Sequence, residues 1–266
     1  MSLERIKTND ALRSYLQGYK DNGTALFCSF LHHTWEPDGQ SFNGMTTMRG
    51  IQYTHIHRTN PPGKDIYCHL YSWPDGTWCT GRPPSANNCA CQAPPKTFAQ
   101  SKLPSELRRL MAEHNPGGFS WRSWPNAYGF SVETVGNFNW PDGEKSFSEN
   151  PETSTAMAAS LDALALVHEI WGIPVEHCFF HRNVSFKTCP GNRVSREWVH
   201  KELRRRLNMP DDNRPDVSAW AAPSVERVKA LGLMNGYPDR TFGGTKPITR
   251  EEVAVIICRA LDLYGG

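Results

Sequence analysis

No stretch of this 266-residue chain is apolar for long enough to cross a membrane. Its first twenty residues, MSLERIKTNDALRSYLQGYK, lack the unbroken apolar centre of a secretory leader. Synthesis in the cytosol is expected, with any extracellular target reached by another route. Charge of one sign is also scarce. Twenty-nine Lys and Arg against 27 Asp and Glu leave a net +2, too little for the basic field that nucleic acid requires. The one dense basic cluster, Arg204-Arg205-Arg206, suits a helix C-terminus, where cations complement the dipole. The eight cysteines, at 28, 68, 79, 89, 91, 178, 189 and 258, lack the regular spacing of a disulfide framework, and reduced thiols are expected. Cys89 and Cys91 have no second CxxC-like pair nearby and read as loop thiols.

What is present is an ordinary globular composition, 38% apolar and 11% aromatic, sufficient for a packed core. TALFCSFLHHTW (24–35) reads as a buried strand that ends in two histidines. DIYCHLYSWPDGTWCTGRPP reads as two strands about the turn Pro74-Asp75-Gly76, and YGFSVETVGNFN as another strand. PSELRRLMAEHN, PETSTAMAASLDALALVHEIWGIP and RVSREWVHKELRRRLN carry helical patterns, the second stopping at Gly172 and Pro174. EHCFFHR is a short strand between the last two. The mixture predicts an α/β domain over 1–208, with a mixed central β-sheet flanked by helices. A Pro/Asp/Asn-rich linker follows at 209–215, then a separate small helical module over 216–266.

Several residues suit a metal. HRNVSFKTCPG (181–191) offers His181 and Cys189, and the strand ending at 33 offers His32 or His33. Two imidazoles and a thiolate are a set that zinc accepts with a position left open. Alone, a strand-end histidine is ordinarily a hydrogen-bonded structural residue, and a buried cysteine ordinarily fills space.

In order and spacing, FLHHTW, VETVGN and HRNVSFKTCPG together resemble the zinc-dependent N-acetylmuramoyl-L-alanine amidases. This is the amidase-2 family, which includes phage endolysins and peptidoglycan-recognition proteins, and the resemblance spans about residues 24–191. It implies one zinc ion per chain, held by His32, His181 and Cys189, with His33 turned to the other face of its strand. It implies Glu133 as the catalytic carboxylate and Lys187 as a cation beside the zinc. The implied reaction is hydrolysis of the amide between the lactyl group of muramic acid and L-alanine. Glu133 takes a proton from water and returns it to the departing amine, and Lys187 faces the developing oxyanion. One position departs from the family: many relatives carry a helper tyrosine directly before the histidine of the strand matching IYCHLY, and here that residue is Cys68. Tyr67, one place earlier, belongs to the opposite face of a strand.

His55 and His57, an H-x-H pair, can share one face of a strand or diverge on a helix, and a groove or structural role is expected for them. Trp35, Trp73, Trp78, Trp121 and Trp124 suit either a sugar-stacking cleft or a core.

DVSAWAAPSVERVKALGLMNGYPDRTFGGTKPITREEVAVIICRAL (216–261) resembles one S-layer homology repeat, read as helix, turn, loop, helix. Val225, Val228 and Leu231 form its first apolar stripe, and Thr249 with Glu252 caps its second helix. The resemblance implies binding of an anionic secondary cell-wall polymer through Trp220 and Arg250. A single ~46-residue repeat buries little core, so trimerisation through this segment or docking onto the first domain is expected.

The expectation for the whole is an endolysin of a phage or prophage of a Gram-positive host. It remains in the cytoplasm until lysis and acts on peptidoglycan, with no nucleic-acid or membrane partner. The alternatives are a non-catalytic peptidoglycan or wall-polymer binding protein and an intracellular muropeptide-recycling amidase, which would have no use for a polymer-binding tail.

Overall fold

The structure is a computed structural model, described for residues 2–58, 65–87, 98–140, 148–209, 217–218, 220–237, 242–244 and 247–264. The chain divides into two compact units, Met1–Met209 and Pro210–Gly266. Cys89, Cys91 and all of the 209–215 linker but Met209 lie outside the described residues.

The first unit runs β1 (Arg5–Ile6), α1 (Asn9–Asp21), β2 (Cys28–His33), α2 (Gly44–His57), β3 (Leu70–Ser72) and β4 (Trp78–Thr80). It continues with α3 (Ser105–Glu113), α4 (Trp124–Tyr128), β5 (Gly129–Thr134), α5 (Thr155–Trp171), β6 (Cys178–Phe180) and α6 (Arg196–Arg206). The six strands form one mixed sheet in the order β1-β4-β3-β5-β2-β6. β2 pairs in parallel with β5 and β6, and β5 in parallel with β3. β3 and β4 form the antiparallel hairpin expected around Pro74-Asp75-Gly76, and β1 pairs antiparallel with β4 at the edge. This is the mixed α/β sheet the sequence predicts.

Strand alternation divides the sheet into two faces with different tasks. Ser29 and Leu31 of β2, Phe130 and Val132 of β5, Leu70 of β3 and Phe180 of β6 share one face. Leu31, Phe130, Val132, Leu70 and Phe180 join Leu12 and Leu16 of α1, much of α5, and Val199 and Leu203 of α6 in the largest core cluster. α5 is the apolar helix of the chain. Ser154 caps its start by accepting from the Met157 N–H, and Gly172 ends it with a left-handed φ of 66°. Leu161, Leu164 and Val167 are buried on it, each stabilising by about 1.5–3 kcal/mol relative to exposure. Two buried polar groups on this face pair with each other. His168 donates from Nδ1 to the Ile173 carbonyl (3.0 Å), so that Nε2 accepts from the Ser29 hydroxyl (2.8 Å).

The other face is shared. Cys28, Phe30 and Phe179 pack under α3 and α4, with Leu107, Leu110 and Trp124. A separate cluster holds Met48 of α2 with Ile66, Cys68, Tyr71, Trp73, Cys79 and Val135. The carboxyl ends of the parallel strands, where α/β sheets ordinarily place their ligands, carry His32 on β2 and Glu133 on β5.

The second unit contains α7 (Ala222–Ala230) and α8 (Arg250–Tyr264). The expected cap on its second helix is present: Thr249 Oγ1 accepts from the Glu252 N–H at 3.1 Å, and Glu252 Oε2 accepts from the Thr249 N–H at 2.8 Å. Val225 and Val228 are half-buried while Leu231 is exposed, as are Val253, Val255, Ile257, Leu261 and Leu263 of α8.

Candidate metal centre

His32, Glu133 and Tyr71 occupy one rung of the sheet. Glu133 on β5 is the register partner of His32 on β2 and of Tyr71 on β3, so all three side chains leave the same face. β6 pairs with β2 as far as Phe180 opposite Leu31. His181 comes one step after Phe180, as His32 comes one step after Leu31, and the two imidazoles meet with ring centroids 5.0 Å apart. The chain then loops back so that Cys189 Sγ stands 3.7 Å from His32 Nδ1.

The three side chains fit a tetrahedral divalent ion. One ligand atom from each of His32, His181 and Cys189 lies within 4.8 Å of the others, and all three residues are buried. In zinc sites, bonds of about 2.1 Å to nitrogen and 2.3 Å to sulfur leave ligand atoms roughly 3.3–3.8 Å apart. His181 Nε2 is a buried polar atom with no hydrogen-bond partner among the described residues, and an ion would satisfy it. Burial keeps both imidazoles neutral, the form that ligates: His32 is held well below its ordinary value and His181 at about 3, with nearby charge from Lys187 acting the same way. The Cys189 thiol is pushed up by burial and by Glu133, and is eased by the His33 backbone N–H and by Lys187. His33 itself faces away, with Nδ1 accepting from the Phe138 N–H at 3.3 Å.

The ligand loop is strapped from beneath. The Arg182 guanidinium donates to the carbonyls of Thr188 (3.4 Å), Gly191 (2.8 Å) and Val194 (2.5 Å), and its backbone N–H donates to the Cys189 carbonyl at 3.1 Å. Gly191, at φ 108°, lies so close to Phe138 that a Cβ there would stand 2.4 Å from the Phe138 carbonyl oxygen. Only glycine fits that turn.

Glu133 is partly buried and is raised to about 7 by desolvation, opposed by a hydrogen bond from Cys68 and by the charge of Lys187. Lys187 is exposed, one residue past the exposed Phe186. The carboxylate opens into a cavity of about 450 Å³ shared with Thr34, Glu36, Thr47, His55 and Tyr71. His55 and His57 sit on the helix α2, which resolves the strand-or-helix question: His55 faces the cavity and stacks on Tyr67 at 3.8 Å, and His57 meets Tyr53. Trp73, Trp78 and Trp124 are core residues, whereas Trp35 is 55% exposed beside the cavity-lining Thr34 and Glu36. Tyr71 and the Cys68 contact escape sequence reading. IYCHLY displays both residues, but only strand register places the phenol beside Glu133.

In the second unit Trp220 is 87% exposed and Arg250 is exposed at the first turn of α8.

Among solved structures, Drosophila PGRP-LB is similar at 16% identity, covering 80% of this chain and 90% of that one with a TM-score of 0.40. The PlyG catalytic domain is similar at 15% identity, covering 69% and 84% with a TM-score of 0.39. Curated relatives match over short stretches of about fifty residues. Outer membrane protein SlpA of Deinococcus radiodurans is 49% identical over 49 residues, 18% of this chain and 4% of the relative. The surface layer protein of Brevibacillus choshinensis is 44% identical over 52 residues, 20% of this chain and 5% of the relative. The chain thus spans about a twentieth of the length of these relatives. Residues 215–254 match the family model of the S-layer homology domain.

Proposed function

We propose that the first unit is a zinc-dependent N-acetylmuramoyl-L-alanine amidase, cutting the amide that joins the lactyl group of muramic acid to L-alanine in peptidoglycan. The observation that carries this reading is the buried His32–His181–Cys189 cluster with Glu133 in register beside it. The substrate follows from the resemblance of FLHHTW, VETVGN and HRNVSFKTCPG to the amidase-2 pattern, and a wall-directed second unit agrees with it. Bound zinc would supply Lewis acidity toward water and toward the amide carbonyl.

The chain's own groups do the rest. Neutral His32 and His181 and the Cys189 thiolate would hold the ion, the thiolate favoured by the His33 N–H aimed at its sulfur. Glu133, poised at about 7, accepts a proton from the attacking water and returns it to the leaving amine, so that amide and water become a carboxylic acid and an amine, which ionise to carboxylate and ammonium. Lys187, exposed and near enough for its charge to lower the Glu133 carboxyl, would face the negative charge that builds on the carbonyl oxygen. Tyr71 brings a phenol into the same cavity.

The second unit would hold the enzyme on the wall, with Trp220 and Arg250 receiving an anionic secondary polymer. A guanidinium suits carboxylate groups, and similar relatives include a surface layer protein and an outer membrane protein. The exposed apolar side chains of α8 support self-association through this unit. An endolysin of a Gram-positive host is the biological setting that fits both halves.

Incubation with purified peptidoglycan tests the reading. New L-alanine amino termini without new reducing ends, abolished by a chelator and restored by zinc, are expected. New reducing ends, or binding with no release of either group, overturn it.

A further inference from the structure

Cys68 is fully buried, one of the side chains packed around Met48, Ile66, Trp73 and Val135. A thiol in such a place needs no polar partner to be stable. Its sulfur nevertheless stands 3.0 Å from Glu133 Oε2, so the S–H donates onto the carboxylate that lines the cavity.

The backbone around Cys68 fixes the direction of that thiol. The Cys68 N–H donates to the Tyr71 hydroxyl at 3.2 Å, and the Cys68 carbonyl accepts from the Arg82 N–H at 2.9 Å. Gly81 presses on the same carbonyl so closely that a Cβ there would stand 2.1 Å from its oxygen. The next residue is pinned as well: the His69 N–H donates to the Ser131 carbonyl, and His69 Nδ1 accepts from the Ser131 N–H at 3.0 Å. Ser131 is two residues from Glu133 on β5. Donor and acceptor are therefore tied together through main chain as well as through the thiol.

We propose that Cys68 is a positioning residue for Glu133. Its S–H occupies Oε2 and fixes the carboxylate torsion, leaving proton transfer to Oε1. This rests on the amidase reading above. A flexible carboxylate samples rotamers that do not face the reacting water, and a hydrogen bond to a charged group is enough to select one of them.

Two measurements on the full-length, zinc-loaded protein test it. In the first, Cys68→Ala lowers kcat about tenfold, the worth of one hydrogen bond to a carboxylate. KM stays within about twofold and one zinc per chain is kept, because substrate and metal contacts are untouched. Cys68→Ser, whose hydroxyl can donate to the same oxygen, restores most of kcat. An alanine variant with wild-type kcat, or a serine variant as slow as alanine, overturns the proposal. The second measurement needs no turnover: the infrared S–H stretch of Cys68, isolated as wild type minus Cys68→Ala, lies below that of a free thiol and moves up in Glu133→Gln. A band already at the free-thiol position removes the contact and the proposal with it. If the wild type cleaves nothing while the band is lowered, the hydrolytic reading fails and the pairing of Cys68 with Glu133 stands by itself.

Discussion

Glu133 is the cross-strand partner of His32, and this single pairing puts a carboxylate raised to about 7 on the same rung as an imidazole of the candidate metal cluster. The sheet register, more than any loop, sets the distance between the proposed base and the ion. Replacing Glu133 with Gln keeps the side chain's shape and removes its basicity. Amide hydrolysis is expected to fall by at least ~100-fold with zinc still bound at one per chain, as followed by amine release and elemental analysis. Retained activity would remove Glu133 from the reaction.

Cys189→Ala leaves two imidazoles and no thiolate. Zinc retention and hydrolysis should both be lost, and the melting temperature should cease to respond to added zinc. In the wild type, chelation should lower the melting temperature, since an ion that binds only the folded chain stabilises it by mass action.

Arg182 holds the 188–194 turn by three carbonyls without touching the ligand atoms of the cluster. Arg182→Gln should weaken zinc binding roughly 10- to 100-fold, the scale for groups that orient metal ligands. Competition with a colorimetric chelator reads this directly; an unchanged affinity would mean that the turn holds its shape without the strap.

Burial holds the His69 and His168 imidazoles at about 4, against 6.5 in the unfolded chain. Between those values the unfolded chain binds the extra protons, so stability is full above pH 6.5 and drains as pH falls towards 4. Each histidine contributes on the order of 3 kcal/mol to that loss. Urea midpoints taken from pH 7.5 to 4.5 should decline across this window, and His168→Gln should give a flatter decline from a lower starting stability.

Val253, Val255, Ile257, Leu261 and Leu263 leave α8 with exposed apolar side chains. Sedimentation of the full chain should show a concentration-dependent oligomer, and the chain cut after residue 208 should sediment as a monomer. Equal monomeric behaviour of both would exclude self-association through this unit.

Much of the sheet was legible. Alternation and length mark TALFCSFLHHTW and YGFSVETVGNFN, and turn chemistry marks the hairpin at Pro74-Asp75-Gly76. The helix over 155–171 announces itself by apolar density and by the glycine that ends it. The α1 helix was not read: Leu12 and Leu16 are its only buried residues, too few to stand out among Asn, Asp, Arg and Lys. α2 was left between helix and strand for a similar reason, since it buries only Met48 and carries two glycines and three threonines. His32, His181 and Cys189, which lie together in the structure, were named by the resemblance of FLHHTW and HRNVSFKTCPG to the amidase-2 pattern. Tyr71 was not, because β3 has three residues and its register with β5 depends on a partner more than fifty positions away. Cys68 appeared in the sequence as a missing tyrosine. Its contact with Glu133 depends on the fold of the 66–82 backbone, which periodicity does not encode.

β2 lies between β5 and β6, and β6 is the last of this sheet's strands in chain order among the described residues. A growing chain that has reached residue 170 can already pair β2 with β5, yet its sheet still shows a bare edge where His181 will arrive. The proposed metal site therefore becomes complete only when the chain has passed Cys189. A fragment that ends ahead of Cys189 lacks one member of the His32–His181–Cys189 cluster.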